Sequence, residues 1–245
     1  LFVSARLVPS EFRWTEPGRA VLLDPGAEQS LLINEEDHLR LQVVSAGMAL
    51  ERAREMMASE LARLSERLEF ARDPEGGFMA SSVYNRGPGR RDSAMVHLAG
   101  LVATGQIGAV MTALSAQGVV VRGLFGESSR ALGGYLQISS ISGDPREMDG
   151  ALQYVISAER AARSGAGSVP LLRGIEAARQ MVRTRSSFSL GDAVRVVGWS
   201  RWGILAGVLP ESAPRAADVC LAQLDPANRR EEASSERAKL LQRLI

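Results

Sequence analysis

A chain of 245 residues can bury one large core or two small ones. Its 45% apolar and 23% charged residues exclude global disorder, and its net charge of +1 excludes broad electrostatic attraction to nucleic acid or an anionic membrane. The one cysteine, Cys220, excludes an internal disulfide and predicts a reducing, cytoplasmic setting. Because the chain starts without a methionine, we expect it to be a piece of a longer protein.

The first third of the chain predicts short strands around a charged stretch. The segment 20–23 and two apolar segments within 30–44 are short and partly β-branched, as strands are. Between the latter two lies Ile-Asn-Glu-Glu-Asp-His-Leu-Arg, at 33–40. A strand running through this stretch would place Glu36, His38 and Arg40 on one face. From the residues alone, a solvated surface strand and a binding site are both open.

Downstream, helical and strand patterns alternate. Helices are predicted over 48–71, 99–117 and 145–163, and strands over 93–98, 119–124 and 134–139. The Ser-Gly-Ala-Gly-Ser segment at 164–168 is predicted to be a linker, followed only by helices, over 170–183, 189–199 and 231–245. Without a run of βαβ units, this mixture predicts an α+β fold in which helices flank a largely antiparallel sheet. We therefore predict one α+β domain over 1–165 and a C-terminal helical region over 166–245.

Four motifs follow one another along the chain. They are Asn-Glu-Glu-Asp-His-Leu-Arg at 34–40, Ser-Ser-Val-Tyr-Asn-Arg-Gly-Pro-Gly-Arg-Arg at 81–91, Met-Val-His-Leu at 95–98, and Val-Val-Val-Arg-Gly-Leu-Phe-Gly-Glu at 119–127 with Ala-Leu-Gly at 131–133 and Gln-Ile-Ser at 137–139. Together they resemble the ATP:guanido phosphotransferases, which include creatine kinase, arginine kinase and the bacterial protein-arginine kinases. The resemblance runs from about Leu1 to the last helix. The fourth motif and His97 favour the protein-arginine kinase branch.

This resemblance implies a guanidino kinase catalytic domain with a glutamine synthetase-like fold. It also implies ATP-dependent phosphoryl transfer to the guanidinium of protein arginine residues. The family uses two glutamates to align the guanidinium and accept its proton, and these correspond to Glu36 and Glu127. From the residues alone, a glutamate in a Gly/Ser loop such as Glu127 is more often simply solvated.

The family binds the phosphates of ATP with arginines, whose planar fork fits phosphate oxygens. The corresponding residues are Arg40, Arg91 and Arg122. Mg²⁺ is expected to be held by the nucleotide, without metal ligands from the protein.

Further residues fall on positions with family roles. Ser82 and Asn85 are candidate guanidinium contacts, and Arg201 is a candidate phosphoarginine contact. His38 and His97 are candidates for an adenine contact or a structural role, and a histidine in an apolar strand is more often structural. The resemblance also implies protein substrates with exposed arginine, an activator protein, proteolytic chaperone machinery and a homodimer. It implies neither a nucleic acid nor a membrane as partner.

The chain departs from the family pattern at several positions. Ser82 replaces the active-site cysteine, Val83 replaces a proline, Pro88 stands between the two glycines, and Asp92 follows a phosphate-binding arginine. The family's N-terminal helical domain, whose Ser-Arg-x-Arg motif binds phosphate, is not in the sequence. A second class of function therefore stays open. In it the protein is a degenerate guanidino kinase that binds nucleotide or phosphoarginine as a non-catalytic regulator.

Overall fold

A computed structural model describes residues 16–26, 28–124, 131–140, 142–210, 215–224 and 231–245. The chain divides into two compact units, Leu1–Arg90 and Arg91–Ile245. The domain boundary predicted at residue 165 concerns function, whereas this division concerns compactness. The boundary at residue 165 stays a prediction.

The first unit is built on a three-stranded antiparallel sheet. Strands β1 (Ala20–Leu23), β2 (Gln29–Ile33) and β3 (Leu39–Val43) pair in chain order. Leu32 of β2 is fully buried, and helix α1 (Leu50–Ser65) contacts β3. Helix α1 ends earlier than predicted. Leu68 continues the apolar spacing of the helix, but its side chain is exposed. Its burial therefore does not stabilise a further turn.

The charged stretch forms the tip of the β2–β3 hairpin, between the two strands predicted on either side of it. Asn34 takes a left-handed conformation with φ of 53°, which asparagine tolerates, and its N–H donates to the carbonyl of His38 at 2.9 Å. The Asn34 side chain donates to the carbonyl oxygen of Gly18 at 2.8 Å. The alternation expected for Glu36, His38 and Arg40 therefore does not apply, because the chain reverses direction between β2 and β3.

The second unit contains another three-stranded antiparallel sheet. Strands β4 (Ser93–His97), β5 (Val119–Gly123) and β6 (Tyr135–Ser140) lie in the order β4–β6–β5. All six predicted strands are thus confirmed, but the single predicted sheet is wrong. Hydrogen bonding joins β1–β3 into one sheet and β4–β6 into another, because each strand pairs within its own segment of the chain.

Three helices of the second unit lie between its strands or directly after them. Helices α2 (Ala99–Ala103) and α3 (Ile107–Ala116) replace the one predicted helix, because Gly105 takes a φ of 71° between them. Helix α4 (Pro145–Ala166) contacts α2, β5 and β6. It also includes residues 164–166 of the segment predicted as a linker. The helix ends at Gly167 with φ of 64°, so the expected flexible linker is wrong.

Four further helices lie in the described part of this unit. They are α5 (Val169–Thr184), α6 (Leu190–Leu205), α7 (Ala216–Gln223) and α8 (Glu231–Gln242). Helix α6 is the central one, with Val194, Val196 and Val197 fully buried. Three of the four helices were predicted, and the eight-residue α7 was missed. Among the described residues, no helix is long and apolar enough to span a membrane.

Candidate active site

The tip of the β2–β3 hairpin brings together residues of two motifs. Glu36 is exposed there, and Asp37 is half-buried. The Asp37 carboxylate accepts from the Ser81 N–H at 2.6 Å and from Asn85 Nδ2 at 2.8 Å. Asp37 therefore fastens the second motif to the first, across more than forty residues of sequence.

Asn85 links this contact to two other candidate residues, Glu36 and Ser82. Asn85 Nδ2 also reaches Glu36 Oε2 at 3.4 Å, and the Asn85 N–H donates to the Ser82 carbonyl at 3.1 Å. Asn85 ends the short 3₁₀ helix Val83–Asn85. The structure thus places Asn85 beside Glu36, and Ser82 contacts Asn85 through the backbone. Glu36 is exposed, and a carboxylate has the acceptor oxygens that the N–H groups of a guanidinium need.

Arg40 lies on β3, next to this tip. Its Nη1 donates to Glu35 Oε2 at 3.2 Å, and its side chain is 38% exposed. The pair holds the guanidinium near the tip and still leaves donors for a phosphate. His38 is exposed, and its backbone carbonyl closes the hairpin turn.

Arg122 and Arg91 belong to the second unit. Arg122 is exposed on β5 and lies opposite Gln137 of β6, which in turn lies opposite Met95 of β4. Arg91 is exposed two residues before β4, and the Asp92 beside it is buried. Arg40 lies in the other compact unit, so the convergence of these three arginines on one nucleotide stays a prediction.

His97 is held inside the second unit. Arg201 Nη1 can only donate, so His97 Nδ1 accepts from it at 3.3 Å, and His97 Nε2–H donates to the Gly133 carbonyl at 3.1 Å. The ring also packs on Tyr135 at 4.6 Å. Burial, followed by the charges of Arg201 and Arg163, lowers the pKa of His97 to about 3. Both ring nitrogens have protein partners, which supports the structural alternative for His97.

Arg201 bridges three elements. Its Nε donates to Asp218 Oδ1 of α7 at 2.7 Å, while Nη1 reaches His97 of β4. The side chain is 30% exposed. A contact of Arg201 with phosphoarginine stays a prediction, and such a ligand would compete with Asp218 for the same guanidinium.

A partly buried ion pair was missed from the sequence. Glu159 of α4 accepts from the N–H groups of Gly100 and Leu101 at 2.8 and 2.9 Å, and from Arg163 Nε at 2.5 Å. Arg163 also donates to the His97 carbonyl at 3.4 Å and lies over the Trp202 ring at 5.1 Å. Glu159 and Arg163 are four residues apart in a helical pattern. A solvated surface pair has the same spacing, so the local sequence does not show that this pair is partly buried.

Glu127 lies outside the described residues. A cavity of about 150 Å³ in the second unit is lined mainly by small residues, including Ala99, Gly133 and Gly198, and by Trp199 and Arg195. Within the described ranges, no group of three or more His, Cys, Asp or Glu side chains is arranged to hold a metal ion.

Comparison with known proteins decides the family. Residues 2–143 match the sequence profile of the family described as ATP:guanido phosphotransferase, C-terminal catalytic domain. The chain belongs to this family. The family predicted from the four motifs is therefore confirmed.

Relatives of this guanido phosphotransferase include several bacterial protein-arginine kinases. The chain is 32% identical to the one from Symbiobacterium thermophilum, over 89% of this chain and 65% of that protein. It is 29% identical to the one from Syntrophomonas wolfei, over 93% of this chain and 66% of that protein. A third, from Halothermothrix orenii, is 45% identical over 50% of this chain and 35% of that protein. The chain thus spans just under two thirds of the length of the first two relatives.

Solved structures agree on the fold. The substrate-free duplicated taurocyamine kinase of Schistosoma mansoni matches with a TM-score of 0.52 and 22% identity, over 64% of this chain and 24% of that one. The same enzyme with bound transition state analog components matches with a TM-score of 0.53, 22% identity and the same coverage. The predicted α+β class, with antiparallel strands flanked by helices, is confirmed.

Proposed function

We propose that this chain is the catalytic part of a protein-arginine kinase. It would transfer the γ-phosphoryl group of ATP to the guanidinium of arginine in protein substrates. The observation that carries the proposal is the exposed Glu36 carboxylate beside Asn85, at a hairpin tip fastened by Asp37. The family membership and the bacterial relatives named protein-arginine kinase support it.

The chemistry of the acceptor explains why this geometry matters. A guanidinium has a pKa above about 12 and is a poor nucleophile while it is protonated. A carboxylate must orient the fork and take its proton as the nitrogen attacks phosphorus. Glu36 is exposed and its contact with Asn85 is long, at 3.4 Å, so its oxygens keep capacity to accept from a substrate. Glu127 is proposed as the second carboxylate.

Phosphoryl transfer also requires neutralisation of the polyphosphate. Arg40, Arg91 and Arg122 are proposed to bind the phosphates of ATP, and the exposure of Arg91 and Arg122 supports this role. Magnesium would arrive with the nucleotide, bound mainly by phosphates and water, and would neutralise charge on the transferred group.

The partners implied by the family remain part of the proposal. They are protein substrates with exposed arginine, an activator protein, proteolytic chaperone machinery and a second copy of the chain. The cytoplasmic location also stays a prediction, and it rests on the single cysteine.

The proposal is tested with the full-length protein that contains this chain. The protein is incubated with ATP, Mg²⁺ and an arginine-rich substrate protein, and separately with the same substrate carrying lysine at every arginine. During transfer an N–P bond forms, the O–P bond to the γ-phosphoryl group breaks and ADP leaves. We expect acid-labile phosphate on the arginine substrate alone. ATP binding without any transfer would contradict the proposal and would favour the degenerate regulatory kinase.

A further inference from the structure

Val83 is an apolar side chain at the apex of a turn. The turn spans residues 80–86, and we call it the tip turn. Val83 begins its 3₁₀ helix and is 65% exposed. Single exposed apolar residues are ordinary on protein surfaces, so exposure alone would mean little. What distinguishes Val83 is how the turn that carries it is fixed.

Hydrogen bonds hold the tip turn on both sides of Val83. Asp37 accepts from Ser81 N–H before it and from the Asn85 side chain after it, at 2.6 and 2.8 Å. Arg86 Nε donates to the Ala80 carbonyl at 3.3 Å and closes the base of the turn. With both ends fastened, the valine cannot retreat into a core without breaking these bonds. The turn therefore presents an apolar surface at a defined place.

That place is beside the acceptor carboxylate. Asn85, two residues after Val83, reaches Glu36 Oε2 at 3.4 Å. Met79, which is 55% exposed, stands just before the turn. The tip turn, with Met79 before it, thus carries exposed apolar side chains and contacts the Glu36 carboxylate through Asn85. This combination complements a cation with an apolar side chain close to it.

We propose that the tip turn recognises an apolar side chain next to the arginine to be phosphorylated, with Val83 as the contact residue. The inference rests on the proposed function, because it names a preference among the substrates of that same site. An arginine whose guanidinium is bound at Glu36 has its Cα one side-chain length away, and the next residue of an extended peptide lies about 3.3 Å further along. The neighbouring side chain therefore comes within reach of the turn that carries Val83. An acidic neighbour is disfavoured by the Glu36 carboxylate.

Two peptides test the inference with the full-length protein. They are identical except that the residue next to the single arginine is leucine in one and asparagine in the other. For the wild type we expect kcat/KM for the leucine peptide to be about three- to tenfold higher, as partial burial of a few methylene groups gives. Val83→Thr keeps the branched shape of the side chain and replaces one methyl group with a hydroxyl, and we expect it to bring the ratio close to one, mainly through KM.

Val169→Thr is the matched control. Val169 is also an exposed valine, at 55%, but it begins α5 in the other compact unit. This variant should keep the wild-type ratio. Because the ratio compares two peptides on one preparation, a loss of folded protein cancels from it.

The outcomes separate the two proposals. No phosphorylation of either peptide by the wild type overturns the proposed function, and this inference with it. Equal kcat/KM for both peptides, or an unchanged preference in Val83→Thr, overturns the inference alone and leaves the kinase activity standing.

Discussion

At the residue scale, the surroundings of His97 fix it in its neutral form. Nδ1 accepts from Arg201 and Nε2–H donates to the Gly133 carbonyl. A proton added at Nδ1 would face the Arg201 guanidinium, and Arg163 lies nearby. The pKa of about 3 in the folded chain therefore follows from burial and from two like charges.

This pKa predicts an acid-sensitive stability. The unfolded histidine has a pKa of 6.5, so below that value the unfolded chain binds a proton that the folded chain excludes. The contribution of His97 is fully present above pH 6.5 and is lost progressively as the pH falls toward 3. At pH 5 the loss amounts to about 2 kcal/mol in the free energy of unfolding.

Urea unfolding at pH 7.5 and pH 5.0 measures this loss. His97→Gln should lose less stability than the wild type between the two pH values, by about 2 kcal/mol. The exposed His38 is the other histidine of the chain, and His38→Gln should behave like the wild type. Equal pH dependence in the wild type and His97→Gln would show that His97 does not carry the effect.

At the scale of elements, helix α6 packs directly on the backbone that leads into β6. A Cβ on Gly198 of α6 would overlap the carbonyl oxygen of Gly133, and a Cβ on Gly133 would overlap the carbonyl of Val194. Gly133 also has a φ of 60°, which favours glycine. These two glycines allow the helix to lie against the 3₁₀ turn Leu132–Gly134, and thus beside His97.

Gly198→Ala should therefore destabilise the second unit although alanine favours helices. Pushing α6 away from the turn should cost about 1–3 kcal/mol, which outweighs the gain of about 1 kcal/mol in helix propensity. Gly191→Ala is the control on the same helix, since the nearest atom to its Cβ lies 4.0 Å away. Urea midpoints should fall for Gly198→Ala and stay level or rise for Gly191→Ala. A stable Gly198→Ala protein would contradict the close packing.

Elements were predictable where burial and local pattern agree. Short apolar segments predicted all six strands. The predicted helix at 189 also begins where expected, and Ser189 caps it by accepting from the Asp192 N–H. The predicted boundaries of elements were wrong where the backbone conformation of a single residue decides the path of the chain. Asn34 takes a left-handed conformation where the chain turns back between β2 and β3, and Gly105 splits a predicted helix in two. Helix α4 continues through residues 164–166, past its last buried residue Ala162, although the composition there is that of a linker.

At the scale of the whole molecule, motif identity predicted more of the site than any local pattern could. The order of four motifs gave the family and pointed to Glu36 and Asn85, which the structure places 3.4 Å apart. The role of Asp37 could not be predicted, because its partners Ser81 and Asn85 lie 44 and 48 residues away. Contacts between distant segments are set by the tertiary fold. Composition and the spacing of residues do not show which of these distant residues will meet.

The central claim is that Glu36 serves the acceptor and not the nucleotide. Its most direct test measures, for Glu36→Gln in the full-length protein, both ATP affinity by calorimetry and phosphoryl transfer to an arginine substrate. Glutamine keeps the shape but cannot take the proton, so transfer should fall by about 10²-fold or more while ATP affinity is unchanged. Glu28→Gln is the control, because it removes a surface carboxylate that pairs only with Arg52 among the contacts described. Wild-type transfer in Glu36→Gln, or a loss of ATP binding that accounts for the whole defect, would contradict the account.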